Sequence, residues 1–258
     1  MLLVASSLKD YAIEASDGRI GSVSDVLFDD ENWKIRWLVV YTGGWLTGRK
    51  VLIHPSAVSE SDRPRKELLV RLTKAQVKNG PDISQDEPVS LQMEAHLYDY
   101  YGWNSIWGSS YFGADPVGSP LGTPFVPNPN GAHEIGDIAP NHDGADPHLR
   151  STGSVTDYHV HATDGDIGHL ENFLVDDVNW DIRYLIIDTR NWWPGKHVLV
   201  SPYAVHEIVW SNSKIRLGVS RSKVKASPRW DPKDVIDAAF EDRLHRHYGW
   251  PGHGYRAA

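Results

Sequence analysis

Residues 17–51 read DGRIGSVSDVLFDDENWKIRWLVVYTGGWLTGRKV. Nearly the same pattern returns at residues 164–198 as DGDIGHLENFLVDDVNWDIRYLIIDTRNWWPGKHV, a shift of 147 positions. The shift holds without a gap as far as Tyr101-Gly102-Trp103, which returns as Tyr248-Gly249-Trp250. A constant shift over this length is typical of the duplication of a whole domain and not of a short solenoid repeat.

Within each copy, short β-prone segments alternate with polar turns. In the first copy the sequence predicts strands at 11–14, 20–28, 34–42, 49–54 and 67–72, and Ala57-Val58 could add another. Asp17-Gly18 is a typical hairpin turn, and Gly21 allows a bend or bulge in the strand that follows. No helical pattern separates the strands, which disfavours parallel crossovers. We therefore predict a mainly β fold of two small antiparallel β-barrels, each followed by a C-terminal helix.

Helical patterns occur only after the strands of each copy. Residues 73–76 and 84–87 look like capping boxes, and residues 231–234 are the counterpart of the latter in the second copy. The following helices carry apolar residues at intervals of four: Val89, Met93, Leu97 and Tyr101, then Ile236, Phe240, Leu244 and Tyr248. Each helix is expected to lay this stripe on a barrel and to end at Gly102 or Gly249.

The duplication divides the chain into three regions. The predicted barrel domains span residues 1–103, the first copy, and 151–258, the second copy, and the connector 104–150 has no counterpart. The connector is rich in Gly, Pro, Asn and Asp and lacks apolar periodicity. The residues at its start, Trp103, Ile106, Trp107, Tyr111 and Phe112, offer apolar surface for docking. We expect a docked arm that then becomes flexible.

Composition narrows the classes of function. The net charge is −8 and no segment is basic, which disfavours nucleic-acid binding. The absence of cysteine excludes disulfides, thiolate metal sites and cysteine nucleophiles, and it fits a reducing cytoplasm. The apolar run after Met1 is too short for a signal peptide, and no run approaches the length of a membrane span. We expect a cytoplasmic protein without an integral membrane segment, which could form a homo-oligomer.

Both copies resemble the PRC-barrel family. The resemblance rests on a DG-x-IG turn, a DD-x-x-W-x-IR-x-L-V/I strand pair, a G-R/K-x-VL-V/I-x-P strand and a Y-Y/H-GW tail. It implies a six-stranded barrel that acts as an adaptor or docking module, with no catalytic residues to carry over. Members include the cytoplasmic domain of the photosynthetic reaction-centre H subunit, the C-terminal domain of a ribosome maturation factor and many stand-alone bacterial copies. Neither a transmembrane helix nor an RNA-processing domain precedes the barrel here, so neither of those two roles is expected.

Charged residues recur at matched positions. Asp29-Asp30 and Asp176-Asp177 could serve acid/base or cation chemistry, but aspartate is also a common turn residue, which is the favoured interpretation. Arg36 and Arg183 lie in apolar strands, where an ion pair with Asp29 or Asp176 is favoured over anion binding. The residues predicted to build the motif are Asp17, Gly18, Asp29, Trp33 and Arg36, and then Asp164, Gly165, Asp176, Trp180 and Arg183.

The chain contains 13 histidines, and two of them form a pattern. His159 and His161 share one face of a predicted strand and could ligate a metal with a third donor, whereas the first copy has Ala12 and Glu14 there. Scattered surface histidines are the favoured interpretation, so we predict no metal site and no cofactor. The sequence has no G-x-S-x-G, phosphate-loop or H-E-x-x-H motif, and we expect no enzyme.

Tryptophans in the predicted loops are the remaining feature of the sequence that points to a function. Trp45 and Leu46 in the first copy match Trp192 and Trp193 in the second, and exposed tryptophan marks contact surfaces, although these side chains could instead plug the barrel mouths. The favoured hypothesis is a non-enzymatic protein-binding or scaffolding (adaptor) protein, with these loops contacting a protein partner. The alternative is a small-molecule or metal-binding protein, which the family resemblance would link to stress or photosynthetic membranes.

Overall fold

The computed structural model describes residues 1–81, 89, 91–103, 146–189, 197–232 and 234–251. Over these residues the fold is mainly β, with two seven-stranded sheets and helices after the strands of each copy. The strands are β1 (Leu2–Val4), β2 (Ala12–Ala15), β3 (Gly18–Asp29), β4 (Lys34–Tyr41), β5 (Lys50–Ile53), β6 (Val58–Asp62), β7 (Glu67–Val70), β8 (Leu149–Ser151), β9 (His159–Ala162), β10 (Gly165–Asp176), β11 (Ile182–Asp188), β12 (His197–Val200), β13 (Val205–Val209) and β14 (Lys214–Leu217). The helices are α1 (Lys74–Asn79), α2 (Leu91–Tyr101), α3 (Arg221–Lys225) and α4 (Ala238–Tyr248).

The two sheets share one strand order. The first follows the path β5-β4-β3-β2-β7-β6, and the second follows β12-β11-β10-β9-β14-β13. The prediction of purely antiparallel sheets was wrong at two pairs, since β2 runs parallel to β7 and β9 runs parallel to β14. No helix is needed to connect the two strands of each parallel pair. The four strands that lie between them in the sequence return the chain to the end of the sheet from which it started. Among the described residues, no hydrogen-bonded pairing joins the two end strands of either path, β5 with β6 or β12 with β13. Closed barrels therefore stay a prediction.

Each sheet has a seventh strand that the sequence analysis did not predict. β1 pairs antiparallel with β10, placing Leu2 opposite Asp176 and Val4 opposite Leu174. β8 pairs with β3. Leu2 and Leu149, at which β1 and β8 begin, are separated by the same shift of 147 positions. Segments this short carry no readable periodicity, which explains why both were missed.

The chain forms two compact units. Unit 1 comprises Met1–Leu8, Asp30–Ile35 and Arg150–Ala258, and unit 2 comprises Lys9–Asp29 and Arg36–Leu149. The predicted domains 1–103 and 151–258 follow sequence repetition alone. Those domain bounds stay a prediction; in the units, β1 and Asp30–Ile35 lie with the strands of the second copy, where the backbone of β1 pairs with β10.

Each long helix packs through its apolar stripe. In unit 1, Leu244 and Tyr248 of α4 pack in one core cluster with Tyr184 and Leu199 of the sheet. In unit 2, Leu97 and Tyr101 of α2 are buried. The predicted docking of the C-terminal helices on their sheets is therefore supported by burial in both units. No helix of the described residues has the length and apolar character needed to cross a membrane.

The helix ends follow local capping chemistry. The predicted capping box at Thr73 and Gln76 is confirmed at the start of α1. The predicted start at 231–234 was wrong, because α4 begins at Ala238 and the side chain of Asp237 accepts a hydrogen bond from the amide of Phe240 at 2.7 Å. The predicted capping box at 84–87 lies outside the described residues. Gly102 and Gly249 adopt positive φ angles of 62° and 81°, as expected of residues that end a helix.

Gly21 and Gly168 occupy the same position in the two copies, where two strands approach closely. A Cβ on Gly21 would lie 2.1 Å from the carbonyl oxygen of Tyr41, and one on Gly168 would lie 1.9 Å from that of Asp188. Gly21→Ala is therefore expected to lower the free energy of unfolding by about 1–3 kcal/mol, because backbone atoms must move apart.

Gly44→Ala is the matched control, since a Cβ there meets no atom within 4 Å. Its effect is expected to stay below about 0.5 kcal/mol. Urea denaturation followed by circular dichroism checks both variants. Equal stability of the two variants would contradict the proposed role of the close approach.

Candidate functional site

The aspartate of each Asp-Gly turn holds a short helix. Asp17 accepts a hydrogen bond from the backbone amide of Lys74 at 2.8 Å, and Asp164 accepts one from that of Arg221 at 2.6 Å. The adjoining Gly18 and Gly165 have φ angles of +121° and +138°, which favour glycine. These four motif residues therefore fix the turn against the start of α1 or α3.

The motif tryptophans Trp33 and Trp180 shape the next turn. Both adopt a left-handed backbone conformation, with φ angles of 55° and 59°. The carbonyl of Trp180 accepts a hydrogen bond from the amide of Ile35 at 2.8 Å, and that of Trp33 accepts one from the amide of Ile182 at 2.7 Å. Trp180 is buried and Trp33 is half-buried. This geometry gives both residues a role in packing within unit 1.

Arg36 lies at the centre of a buried network in unit 2. Its Nη1 lies 3.4 Å from a carboxylate oxygen of Asp29 and 2.8 Å from one of Asp146. Its Nη2 pairs with Glu94 of α2, and the indole N–H of Trp37 donates to the same carboxyl group. The predicted ion pair with Asp29 is thus confirmed, whereas the partners Glu94 and Asp146 were not anticipated. The network ties α2 and the end of the connector to β4.

The second copy repeats this network in a more open form. Arg183 lies 3.3 Å from carboxylate oxygens of both Asp176 and Glu241, which confirms its predicted pair with Asp176. The hydroxyl of Tyr184 donates to Glu241 at 3.0 Å, where the first copy has the indole of Trp37. The Arg183 side chain is 22% exposed, against 7% for Arg36. The recurring charges therefore stabilise the packing of helix on sheet.

Burial sets the ionisation of the first network. It raises the pKa of Glu94 to about 7, although Arg36 and the bond from Trp37 act in the opposite direction. It also lowers the pKa of His54 to about 3, an effect to which Arg36 adds. Three carboxyl groups share one guanidinium here, so the retention of one proton near neutral pH limits the excess of buried negative charge.

An open cleft lies on the surface of unit 2 beside the turn Gly43–Leu46. It encloses about 360 Å³ and is lined by Arg19, Ile20, Tyr41 and Trp45, among others. The indole N–H of Trp45 donates to the carbonyl of Ile20, which fixes one wall. Tyr41 is 48% exposed. The cleft therefore offers two aromatic side chains in a defined arrangement.

Two cations accompany these aromatic side chains. Arg19 is exposed and lines the cleft, and the ammonium group of Lys74 lies 4.8 Å from the centre of the Trp45 ring. A positive charge over an indole face is a stabilising cation–π contact. The surface formed by Arg19, Tyr41, Trp45 and Lys74 is named the aromatic cleft below. Its chemistry suits an apolar group with a carboxylate beside it.

The structure describes two of the four predicted contact residues. Trp45 and Leu46 are both half-buried, with Trp45 in the wall of the cleft. Trp192 and Trp193 lie outside the described residues. Arg19, Tyr41 and Lys74 were not predicted as contact residues, because each lies in a separate segment and none belongs to a motif that signals binding.

The PRC-barrel domain family matches residues 5–77. The matched region contains β2 to β7 and the first turn of α1, so the resemblance is confirmed for the first copy. A second β-sheet module with the same strand order follows, consistent with tandem duplication. No curated protein sequence matches the chain.

Proposed function

We propose that the protein is a non-enzymatic, cytoplasmic adaptor whose aromatic cleft binds an acidic segment of a protein partner. The observation that carries the proposal is the placement of Trp45 and Tyr41 beside two cations, Arg19 and Lys74. Tryptophan, tyrosine and arginine are the residues that most often dominate binding energy at protein interfaces. A cleft of about 360 Å³ is small for a ligand site and accommodates one or two side chains of a partner.

The charges beside the cleft determine which class of partner segment it binds. Arg19 and Lys74 form a region with two cations beside the cleft of a chain whose net charge is −8, and Glu14 lies opposite Arg19 in the sheet. Such a region attracts and orients carboxylates, while the aromatic walls accept an apolar side chain. The proposed ligand is therefore a segment in which an apolar residue is flanked by aspartate or glutamate.

Duplication supports a scaffolding role. The positions of Arg19 and Tyr41 in the first copy are occupied by Asp166 and Asp188 in the second. The second copy therefore keeps a cation at the position of Lys74, which is Arg221, but carries an acid in place of Arg19. Two related modules with different surfaces suit the attachment of two different partners by one chain.

Trp45→Ala is expected to weaken partner binding by about 2 kcal/mol, or roughly thirtyfold, because the indole forms the cleft wall. Wild-type and variant chains would be compared as baits, and each candidate partner would then be purified and its affinity measured by titration calorimetry. Arg19→Glu tests the charge separately, since Arg19 is exposed and its replacement leaves the core intact.

Trp210→Ala is the matched control, since this tryptophan also carries a cation, Arg150, at 4.2 Å from its ring centre but lies in unit 1. Binding should survive in this control. Retention of the same partners with unchanged affinity by both Trp45→Ala and Arg19→Glu would refute the proposed surface.

A further inference from the structure

The second copy carries a row of titratable side chains across four strands. His159 of β9 lies opposite His169 of β10, His169 lies opposite Asp188 of β11, and Asp188 lies opposite His197 of β12. Their chain neighbours in each strand, Val160, Leu170, Ile187 and Val198, are buried. Because successive residues of a strand point to opposite faces, the row lies on the outer face of the sheet.

Two imidazoles of this row are close neighbours. The ring centres of His159 and His169 are 4.5 Å apart, with an angle of 50° between the planes. His161 lies two residues beyond His159 and on the same face, so the three histidines form a triangle across two strands. Its Nε2 lies 2.6 Å from a carboxylate oxygen of Asp166. The tertiary structure thus brings a third imidazole to the His159 and His161 pair.

The first copy shows that the fold does not require these histidines. The positions equivalent to His159, His161 and His169 are Ala12, Glu14 and Ser22. Ala12 and Ser22 face each other in the same register as His159 and His169. The imidazoles are therefore additions to a sheet that forms without them.

We propose that His159, His161 and His169 bind one divalent transition-metal ion, such as Zn²⁺ or Cu²⁺, on this outer face. Imidazole nitrogen is a preferred ligand of both ions, and zinc–nitrogen distances are about 2.0–2.1 Å. Adjacent strands lie about 4.8 Å apart, so side chains facing each other across them can reach a shared ion. Water completes the coordination.

Binding requires a change of side-chain rotamer. As the side chains stand, no three His, Asp or Glu groups of the described residues surround one point. The imidazoles must therefore reorient, and His161 must leave Asp166, whose side chain is 72% exposed, so this contact is a weak surface interaction. After the turn, Asp166 can orient the imidazole from behind, as carboxylates do for ligating histidines.

The charged side chains around the three histidines are compatible with a metal ion bound between them. Lys214 and Arg216 of β14 face His159 and His161. Arg216 is paired with Glu207 at 3.0 Å, which offsets one of these positive charges. Asp166 and Asp188 supply negative charge on the other side of the histidines. The site is separate from the aromatic cleft, so neither proposal depends on the other.

Titration of the untagged full-length chain, stripped of metal by a chelator, tests the site with Zn²⁺ by calorimetry and with Cu²⁺ by electron paramagnetic resonance. We expect one ion per chain and hyperfine splitting from imidazole nitrogens. His159→Ala and His169→Ala should each weaken binding on the order of tenfold or more, because each removes a ligand. His206→Ala, an exposed histidine on β13, is the matched control and should bind as the wild type does.

Three results would overturn the proposal. One is the absence of any saturable binding of Zn²⁺ or Cu²⁺ to the wild-type chain in these titrations. Another is unchanged affinity in the His159→Ala, His169→Ala double variant, which would place the ion elsewhere. The third is equal weakening by His206→Ala, which would show non-specific binding. Circular dichroism of each variant establishes that the sheet is intact.

Discussion

Arg36→Met is expected to lower the free energy of unfolding by about 3–5 kcal/mol. The substitution leaves the carboxyl groups of Asp29, Glu94 and Asp146 together in the interior, with side-chain exposures of 3%, 3% and 0% and without their shared guanidinium. Methionine keeps much of the volume of arginine, so the loss measures uncompensated charge and not a cavity. Chemical denaturation followed by circular dichroism at neutral pH gives the free energy directly.

Arg183→Met provides the control at the equivalent position. Its side chain is 22% exposed, so water screens the carboxylates of Asp176 and Glu241 after the substitution. We expect a loss of about 1–2 kcal/mol, smaller than that for Arg36. The loss caused by Arg36→Met should also shrink in acid, where the carboxyl groups become neutral. Equal losses for the two variants would contradict the claim that burial makes the first network critical.

Glu94→Gln is expected to remove a pH dependence of stability. Burial raises the pKa of Glu94 from an ordinary value of 4.5 to about 7 in the folded chain. The folded state therefore binds this proton more tightly than the unfolded state. The corresponding stability is fully present below about pH 4.5 and is lost as the pH rises through about 7. At about 1.4 kcal/mol for each pKa unit, the full loss across this range is on the order of 3–4 kcal/mol.

The protonation of His54 affects the stability of the fold with the opposite sign to that of Glu94, over an overlapping pH range. Its pKa is lowered from 6.5 to about 3 in the folded chain, so its contribution is present above about pH 6.5 and is lost as the pH falls toward 3. The wild-type profile therefore combines two opposed effects. The difference between Glu94→Gln and the wild type isolates the carboxyl group, because His54 is common to both chains.

Denaturation of both chains at about pH 5 and about pH 8 measures this difference. The stability of Glu94→Gln relative to the wild type should rise by about 2 kcal/mol between these conditions. Glu241→Gln is the control at the equivalent position, where the carboxyl group is only half-buried and a smaller change is expected. A relative stability of Glu94→Gln that does not change with pH would show that Glu94 titrates normally.

Much of the fold was predictable from local patterns. The run from Ile35 to Tyr41 is rich in β-branched and aromatic residues, and it forms β4. The Asp-Gly turns, the capping box at Thr73 and the glycines after α2 and α4 each have a local physical cause, so they too follow from the sequence. The parallel pairing of β2 with β7 did not follow, because it depends on where the chain returns after four strands.

The candidate sites were harder to predict for the same reason. Trp45 was identified because a loop tryptophan is conspicuous, but its neighbours Arg19 and Lys74 come from other segments and carry no motif. The buried pair of Arg36 with Asp29 was predicted, since both belong to one repeated stretch. Glu94 and Asp146 complete that network from positions that only the folded chain brings near Arg36.

Local sequence patterns were enough to predict that a β-rich unit occurs twice, which residues form its turns, and that a buried arginine needs a motif aspartate. These features depend on residues close together in the chain, where periodicity and turn chemistry act directly. Only the tertiary structure decided that β1 completes the sheet of the second copy, that three carboxyl groups surround Arg36, and that His169 lies opposite His159. Such contacts depend on strand register and chain return, which no local pattern encodes.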